Sequence, residues 1–312
     1  MNYGEGNYRF RPIEGWGTQI KERWPNIQEI AGVTVDDEDC VYLLTRTDPP
    51  VIKTDRSGNV LCTFGQGVFT RPHGIYVTRN GSIFGVDDKA HTVYRFDEQF
   101  HLVQTLGTPG KASDTGSSGK YTEVTRGGPP FNRPTRICED KDGNLYVTDG
   151  YGNARVHKFS CDGTLIKSWG EPGTASGQFN LPHGIGIDKN GILYVADRQN
   201  HRVQRFTTEG AFIDEWTGLH RPSDIWIDRD GIIFVPECKR TSEFDDSPSR
   251  VSIFDDKGHL LSRLERETTY DPELGSRCAH GVATDSRGDL YVTEVGKKLS
   301  ESFFGIRKYQ RA

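Results

Sequence analysis

One pattern recurs along the chain and limits the folds that the chain can adopt. The clearest copy starts at Pro182 and reads "PHGIGIDKNGILYVADRQNHRVQRFTTEGAFIDEWTG". It alternates short apolar stretches with turns rich in Gly, Asn and Asp, which is typical of four antiparallel strands joined by tight turns. Six copies begin near Ala31, Pro72, Pro134, Pro182, Pro222 and Ala279.

A repeat of about 40 residues with four antiparallel strands is typical of a propeller blade. We therefore predict an all-β, six-bladed β-propeller that forms a single domain over residues 1–312. The last copy ends after its third strand. We expect the N-terminal strand at 7–17 to complete this blade and close the ring, which removes an exposed sheet edge.

Two segments lengthen the repeat. The first, at 108–131, is rich in Gly, Ser and Thr, and the second, at 237–249, interrupts the fifth copy. Loops of this length are typical of functional lids or of disordered spacers, and the sequence leaves both readings open.

Composition narrows the class of partner. The net charge is −5 and no basic cluster stands out, which argues against nucleic acid as a partner. Apolar runs are too short to span a membrane, and the N-terminus lacks a signal pattern. We therefore expect a soluble, cytoplasmic monomer.

The six cysteines form no CxxC pair, which favours a mostly reduced interior over a disulfide framework.

Histidine occupies the second position of alternate copies. These residues are His73, His183 and His280, whereas Gly32, Thr135 and Ser223 stand at this position in the other copies. Alternate blades of a six-bladed ring are about 120° apart, so three imidazoles would converge on the axis. Three histidines with an open fourth position are typical of a catalytic zinc site. The alternative is a set of structural histidines, which we favour for His91 and His201 in the turns before the third strand.

The loop after the second strand supplies further polar residues at the same mouth. Tyr151 is suited to acid–base chemistry, and Arg198 and Arg46 are suited to bind a carboxylate substrate. Taken singly, each of them is also typical of an ordinary surface loop. Aspartates recur at the end of this strand, and we interpret them as turn or blade-packing residues: Asp87, Asp149 and Asp197.

These motifs resemble a known family. The repeat is similar to the NHL type, and the chain resembles peptidyl-α-hydroxyglycine α-amidating lyase over nearly its whole length, most strongly across 131–206. The phrases "TDGYGNAR", "WGEPGTASGQFNLPH" and "VADRQNHR" carry the resemblance. It implies that three histidines bind zinc, that Tyr151 is the catalytic tyrosine, and that two arginines belong to the active site. These positions are His73, His183, His280, Arg198 and Arg46.

The chain departs from the family at several positions. The resemblance implies a calcium ion held by the carbonyls of Val33 and Ile75 and by an Asp after the third histidine, where this chain has Gly281. A family methionine is replaced by Cys278. The places of two family cysteines are taken by Gly152 and Arg205, which agrees with an intracellular, bacterial relative.

The resemblance implies a lyase that splits an N-acyl-α-hydroxyglycine into an amide and glyoxylate, or a close relative that acts on a ureidoglycolate. Two alternatives stay open. One is a metallo-hydrolase on the same fold, such as a lactonase, arylesterase or phosphotriesterase, although such propellers generally use carboxylate-bound calcium. The other is a non-catalytic NHL interaction module, which a lone acidic propeller makes a weaker reading.

Overall fold

A computed structural model describes residues 3–120, 123–238, 249–265, 278–296 and 305–312. Within these residues the strands form six four-stranded antiparallel sheets, each a blade. The prediction of an all-β, six-bladed β-propeller is therefore confirmed. The chain divides into two compact units, described separately below: unit 1 comprises 1–68 and 226–312, and unit 2 comprises 69–225.

Unit 2 contains blades two, three and four, in which consecutive strands pair in chain order. Blade two consists of β6 (Pro72–Val77), β7 (Ile83–Asp87), β8 (Thr92–Phe96) and β9 (Leu102–Leu106). Blade three consists of β10 (Pro134–Glu139), β11 (Leu145–Asp149), β12 (Arg155–Phe159) and β13 (Leu165–Trp169). Blade four consists of β14 (Pro182–Ile187), β15 (Ile192–Asp197), β16 (Arg202–Thr207) and β17 (Phe212–Trp216), with a 3₁₀ turn at Arg198–Asn200.

Unit 1 contains the other three blades. Blade one consists of β2 (Ile30–Val35), β3 (Val41–Thr45), β4 (Val51–Thr54) and β5 (Val60–Phe64). Blade five consists of β18 (Trp226–Ile227), β19 (Ile233–Glu237), β20 (Arg250–Phe254) and β21 (Leu260–Glu265). Blade six consists of β22 (Cys278–Thr284), β23 (Leu290–Val295), β24 (Ile306–Arg311) and the N-terminal β1 (Phe10–Pro12), and a short helix α1 (Thr18–Arg23) follows β1.

The N-terminal strand closes the last blade as predicted. Phe10 pairs with Arg311 and Pro12 with Tyr309, so β1 is the outer strand of the sheet that β22 begins. The strand is shorter than the predicted 7–17. The pairing covers the outer edge of β24 and so removes an unpaired edge.

In every blade except blade two, an aspartate builds the turn between the first two strands, and Thr78 takes its place in blade two. In blade four the Asp188 carboxylate accepts the backbone N–H groups of Asn190 (2.8 Å) and Ile192 (2.9 Å). Gly191 has φ +80°, a value that glycine adopts without strain. This side-chain bonding fixes the hairpin. Within unit 2, apolar side chains of neighbouring blades pack together in two clusters: Phe84 of blade two lies with Val147 of blade three, and Tyr146 of blade three lies with Leu193 of blade four.

The structure describes most of the first insertion and only the ends of the second. Residues 108–120 and 123–131 are described and contact blade three, as shown below. Of the second insertion, 237–249, residues 239–248 lie outside the described residues.

None of the helices in the described part of the chain reaches the length and hydrophobicity needed to cross a bilayer.

Candidate functional site

The two predicted ligand histidines of unit 2 lie at β-bulges. The pairing of β6 with β7 passes from Pro72–Asp87 to Gly74–Val86, so the register skips His73. The pairing of β14 with β15 skips His183 in the same way. A bulge adds one residue to a strand and re-aims its side chain, and bulges are common beside functional sites. A side chain at a bulge does not follow the strict alternation of side chains along a strand. The bulges of β6 and β14 therefore allow the imidazoles of His73 and His183 to point into one common space.

Backbone carbonyls of the next inner segment fix the tautomer of both histidines. Nδ1 of His73 lies 2.9 Å from the carbonyl oxygen of Thr135, and Nδ1 of His183 lies 2.5 Å from that of Ser223. A carbonyl can only accept, so Nδ1 is the donor in each neutral imidazole and Nε2 carries the lone pair. This is the arrangement that a metal-binding histidine needs.

The two Nε2 atoms converge on the Tyr151 hydroxyl. This oxygen lies 3.2 Å from Nε2 of His73 and 3.1 Å from Nε2 of His183. The two imidazole centroids are 4.7 Å apart, and both rings are buried. Two Nε2 lone pairs and a phenolic oxygen around one small space match the nitrogen and oxygen donors that zinc accepts. The residues of unit 2 therefore fit a metal ion.

Close backbone approach positions Tyr151. Its backbone N–H donates to the carbonyl of Arg133 at 3.4 Å. A Cβ on Gly150 would lie 2.2 Å from the carbonyl oxygen of Pro182, and a Cβ on Gly152 would lie 2.2 Å from Oδ1 of Asn132. Only glycine fits at these two positions. The predicted catalytic tyrosine is therefore held between two glycines that let its loop press against blade four and against Asn132.

Two guanidinium groups surround the Tyr151 hydroxyl and ring. Nη1 of Arg198 lies 3.4 Å from the hydroxyl oxygen, and Arg198 begins the 3₁₀ turn after β15. The guanidinium of Arg133 stacks on the Tyr151 ring, with 5.0 Å between Cζ and the ring centroid. Such stacking is a favourable cation–π contact. Both charges favour an anion beside the hydroxyl.

Arg133 is the residue of this site that the sequence interpretation missed. Its carbonyl and its side chain both contact Tyr151, although 18 positions separate the two residues in the chain. Nη2 of Arg133 also lies 3.7 Å from the buried Asp88, which pairs with Arg71. One sequence feature could have identified Arg133: an arginine precedes the proline at the start of the first strand in blades two, three and five.

Asp197 organises the loop that carries Arg198. Its carboxylate accepts hydrogen bonds from the Asn180 backbone at 2.8 Å, from Asn200 at 2.7 Å and from Arg202 at 2.9 Å. Burial raises the pKa of Asp197 to about 6, and these donors act in the opposite direction. Asp87 and Asp149 accept backbone N–H groups in the same way. The interpretation of these aspartates as turn and packing residues agrees with this geometry.

His91 and His201 have the structural role that the sequence favours. Both have φ +57°, in the left-handed region. Nδ1 of His91 accepts the backbone N–H of Arg133 at 3.1 Å, and Nδ1 of His201 accepts that of Arg221 at 3.2 Å. Each of these histidines therefore ties its turn to the start of the following blade.

The first insertion is anchored to the Tyr151 loop. Oγ1 of the buried Thr115 donates to the carbonyl of Gly152, and Asn132 donates to Oγ1 of Thr115 at 3.0 Å. Further along the insertion, Gly128 exchanges hydrogen bonds of 3.1 and 3.2 Å with the side chain of Asn153. The described part of the insertion thus buttresses the residues that follow Tyr151.

Replacing Thr115 by valine tests this buttress. The change keeps the shape of the side chain and leaves a buried acceptor without its donor, so the free energy of unfolding should fall by about 1–2 kcal/mol. Hydrogen exchange should also accelerate at the backbone of 150–154. The control is Thr78→Val. This change also removes a hydroxyl that donates to a backbone carbonyl, that of Ser82, but it lies in the hairpin between β6 and β7. Equal exchange at 150–154 in both variants would contradict the role of Thr115.

In unit 1, His280 repeats the geometry of the other two histidines. The pairing of β22 with β23 skips it, and its Nδ1 lies 2.6 Å from the carbonyl oxygen of Ala31. This corrects the blade-one position, which the sequence analysis placed at Gly32. The bulge of β2 skips Ala31, not Gly32, so Ala31 corresponds to Thr135 and Ser223. The repeat in blade one is shifted by one residue relative to the predicted alignment.

Arg46 of unit 1 has a carboxylate partner of its own. Nη1 of Arg46 lies 2.6 Å from Oε2 of Glu29. The backbone N–H of Arg46 donates to the Glu29 carbonyl at 3.3 Å, which matches the bond from Arg198 to Leu181 in unit 2. Arg46 therefore occupies the loop position that the sequence predicts, and Glu29 balances its charge.

One disulfide departs from the expected thiol chemistry. Cys238, after β19, bonds to Cys278, at the start of β22, while four cysteines are free thiols among the described residues: Cys40, Cys62, Cys138 and Cys161. The two bonded residues face each other in an isolated antiparallel bridge. Disulfides are typical of oxidising compartments. This bond weighs against the cytoplasmic location, which stays a prediction.

Comparison with known proteins places these features in a family. The NHL repeat model matches residues 131–159 and 179–206, which lie in blades three and four. The chain is 34% identical over 283 residues to NHL repeat-containing protein 3 of Mus musculus, and the match spans 84% of this chain and 75% of that protein.

Two further likenesses bear on the site and the fold. A probable peptidyl-alpha-hydroxyglycine alpha-amidating lyase of Caenorhabditis elegans is 32% identical over 160 residues, spanning 49% of this chain and 41% of that protein. A solved gluconolactonase of Xanthomonas campestris superposes with a TM-score of 0.63 at 13% identity, covering 99% of this chain and 96% of that one, which shows the fold alone. Because the mouse relative matches along most of both proteins, the chain belongs to the family of NHL-repeat propeller proteins that includes NHL repeat-containing protein 3.

Proposed function

We propose that this protein is a metal-dependent lyase that cleaves an N-acyl-α-hydroxyglycine into an amide and glyoxylate. The observation that carries the proposal is the convergence of two Nε2 atoms and the Arg198 guanidinium on the Tyr151 hydroxyl. The similarity to the Caenorhabditis elegans lyase supports this reaction class. The expected substrate is a small anion that carries a carboxylate.

We propose that His73, His183 and His280 together hold one zinc ion. The support is their shared geometry, because each lies at a bulge of a blade's first strand and each directs Nδ1 to a backbone carbonyl. Their blades alternate along the repeat, as a three-histidine site on a propeller requires. When bound, the ion would act as a Lewis acid on the substrate hydroxyl.

Tyr151 would move the proton. In the reaction the hydroxyl O–H and the C–N bond of the substrate break, the C–O bond becomes the aldehyde C=O, and the C–N electron pair leaves with the nitrogen. One proton therefore passes from oxygen to nitrogen, and no water is consumed. The Tyr151 oxygen would accept the hydroxyl proton or protonate the leaving nitrogen, the acid–base role that a positioned phenol can fill.

The arginines would hold the carboxylate. Arg198 lies against the Tyr151 hydroxyl, and Arg133 covers the Tyr151 ring, so an anion beside Tyr151 would meet two guanidinium groups. Arg46 is the second arginine that the family resemblance assigns to this role. Because Glu29 already pairs with Arg46, we expect Arg46 to contribute less to substrate affinity than Arg198.

The first experiment measures glyoxylate release from α-hydroxyhippurate by the purified protein. Turnover should disappear on chelation and return when zinc is added back, because the proposed reaction depends on the bound ion. Protein that carries about one zinc per chain and releases no glyoxylate would contradict the lyase proposal. Hydrolysis of lactone, aryl ester and phosphotriester substrates in the same preparation tests the metallo-hydrolase.

A non-catalytic binding module is the second candidate. The longer of the two sequence matches is to NHL repeat-containing protein 3, a name that states no reaction. The buried, tautomer-fixed histidines favour the enzyme, since a binding surface does not need Nε2 atoms that converge inside the fold. Protein without zinc and without turnover on any of these substrates would support the module.

A further inference from the structure

A buried guanidinium lies among the inner segments of unit 2. Arg136, on β10, and Asp224, just before β18, are both buried. Nε of Arg136 lies 2.8 Å from Oδ1 of Asp224, and Nη2 contacts Oδ2, so the pair is bidentate. A buried ion pair of this geometry satisfies both charges internally.

The same guanidinium faces a backbone carbonyl of blade two. Nη1 of Arg136 lies 3.5 Å from the carbonyl oxygen of Ile75. Gly74 makes room for this side chain, because a Cβ at Gly74 would lie 2.9 Å from Cδ of Arg136 and 2.4 Å from the carbonyl oxygen of Thr135. The guanidinium of Arg136, on β10, thus contacts both β6 and the segment that carries Asp224.

The family resemblance implies a calcium ion on the carbonyls of Val33 and Ile75, and the residues present do not fit one. Calcium takes six to eight oxygen ligands, with carboxylates among them. Gly281 supplies no carboxylate at the position where the family has an aspartate. Both oxygens of the Asp224 carboxylate already accept hydrogen bonds from the Arg136 guanidinium. A divalent ion on the Ile75 carbonyl would also face the positive charge of Arg136 across a few ångströms of buried protein.

We propose that Arg136, neutralised by Asp224, is a built-in cation that takes the place of a calcium ion at the Ile75 carbonyl. The protein then neither binds calcium there nor needs it for stability. The tethered guanidinium supplies positive charge at the Ile75 carbonyl, and its charge does not depend on the calcium concentration. This inference concerns a cation separate from the histidine site and stands whether or not the lyase proposal holds.

Calcium binding to wild-type protein is the direct test. Protein prepared in calcium-free buffer is titrated with calcium by equilibrium dialysis, and its thermal unfolding midpoint is recorded with and without calcium. We expect no stoichiometric binding and no shift of the midpoint. Avoiding chelators leaves any zinc in place. One tightly bound calcium per chain, with a midpoint that falls when it is removed, would overturn the proposal.

A gain of calcium binding in a variant tests the replacement itself. Arg136→Ala leaves the Asp224 carboxylate and the Ile75 carbonyl facing the space that the guanidinium vacates, so the unfolding midpoint of the variant should rise by several degrees when calcium is added. The matched control is Arg136→Ala combined with Asp224→Asn, which has the same space without the carboxylate and should not respond. A folded Arg136→Ala protein that ignores calcium would contradict the proposal. If this variant does not fold, the wild-type titration still decides.

Discussion

Replacing Tyr151 by phenylalanine should lower kcat for glyoxylate release by roughly 100-fold to 10,000-fold, the range typical of a positioned acid–base group. The change removes only the hydroxyl that lies within 3.2 Å of two imidazole nitrogens and 3.4 Å from Arg198. The ring can keep its stacking with Arg133. Zinc content, measured by elemental analysis, should therefore stay near that of wild type while turnover is lost.

A matched tyrosine separates this effect from a general loss of stability. Tyr146, on β11 of the same blade, donates its hydroxyl to Asp140 at 2.9 Å, in the hairpin at the far end of the strand. Tyr146→Phe should lower the free energy of unfolding by about 1 kcal/mol and leave kcat unchanged. An unchanged kcat in Tyr151→Phe, with zinc retained, would show that the phenol moves no proton in the reaction.

Replacing His183 by alanine should remove both zinc and turnover. The variant deletes one of the three proposed ligands, and the two remaining histidines fall short of the three protein ligands that a catalytic zinc site uses. Zinc should fall from about one per chain to a small fraction, and millimolar zinc should restore little activity. Because His183 is buried, the variant also leaves a cavity, so its unfolding midpoint must be recorded beside the metal content.

His201→Asn is the control for the histidine variant. His201 lies in the same blade, has φ +57° and accepts one backbone N–H through Nδ1. Asparagine tolerates this backbone conformation and offers an acceptor, so the fold, the zinc content and the turnover should all persist. Full zinc occupancy in folded His183→Ala would place the ion elsewhere and refute the three-histidine site.

Much of the fold and part of the site followed from the repeat. Alternating apolar residues and Asp-x-x-Gly turns report local geometry, so the blades and the pairing of the N-terminal strand with β24 could be predicted. The histidine positions followed because a repeat places equivalent residues at equivalent points. The predicted position Gly32 was wrong because the repeat in blade one was aligned one residue out. Gly32 occupies the same register as Gly74, Gly184 and Gly281, directly after the bulged residue.

The contacts that the sequence missed all join distant positions. Arg133 reaches Tyr151 through the packing of a loop on the start of its own blade, which no pattern within one strand reports. The Cys238–Cys278 bond spans 40 positions, and connectivity among six cysteines cannot be read from spacing alone. The side-chain pairing of Arg46 with Glu29 likewise depends on rotamers that the repeat does not encode.

A backbone carbonyl orients each of the three histidines, and this affects which substitutions the site tolerates during evolution. Thr135 and Ser223 carry a hydroxyl and Ala31 carries only a methyl group, yet each supplies the same acceptor to the imidazole of another blade. Because the acceptor belongs to the main chain, substitutions at these three positions leave the protonation of the histidines unchanged. All three residues are buried, so selection at these positions acts through packing and not through the proton position of the histidines.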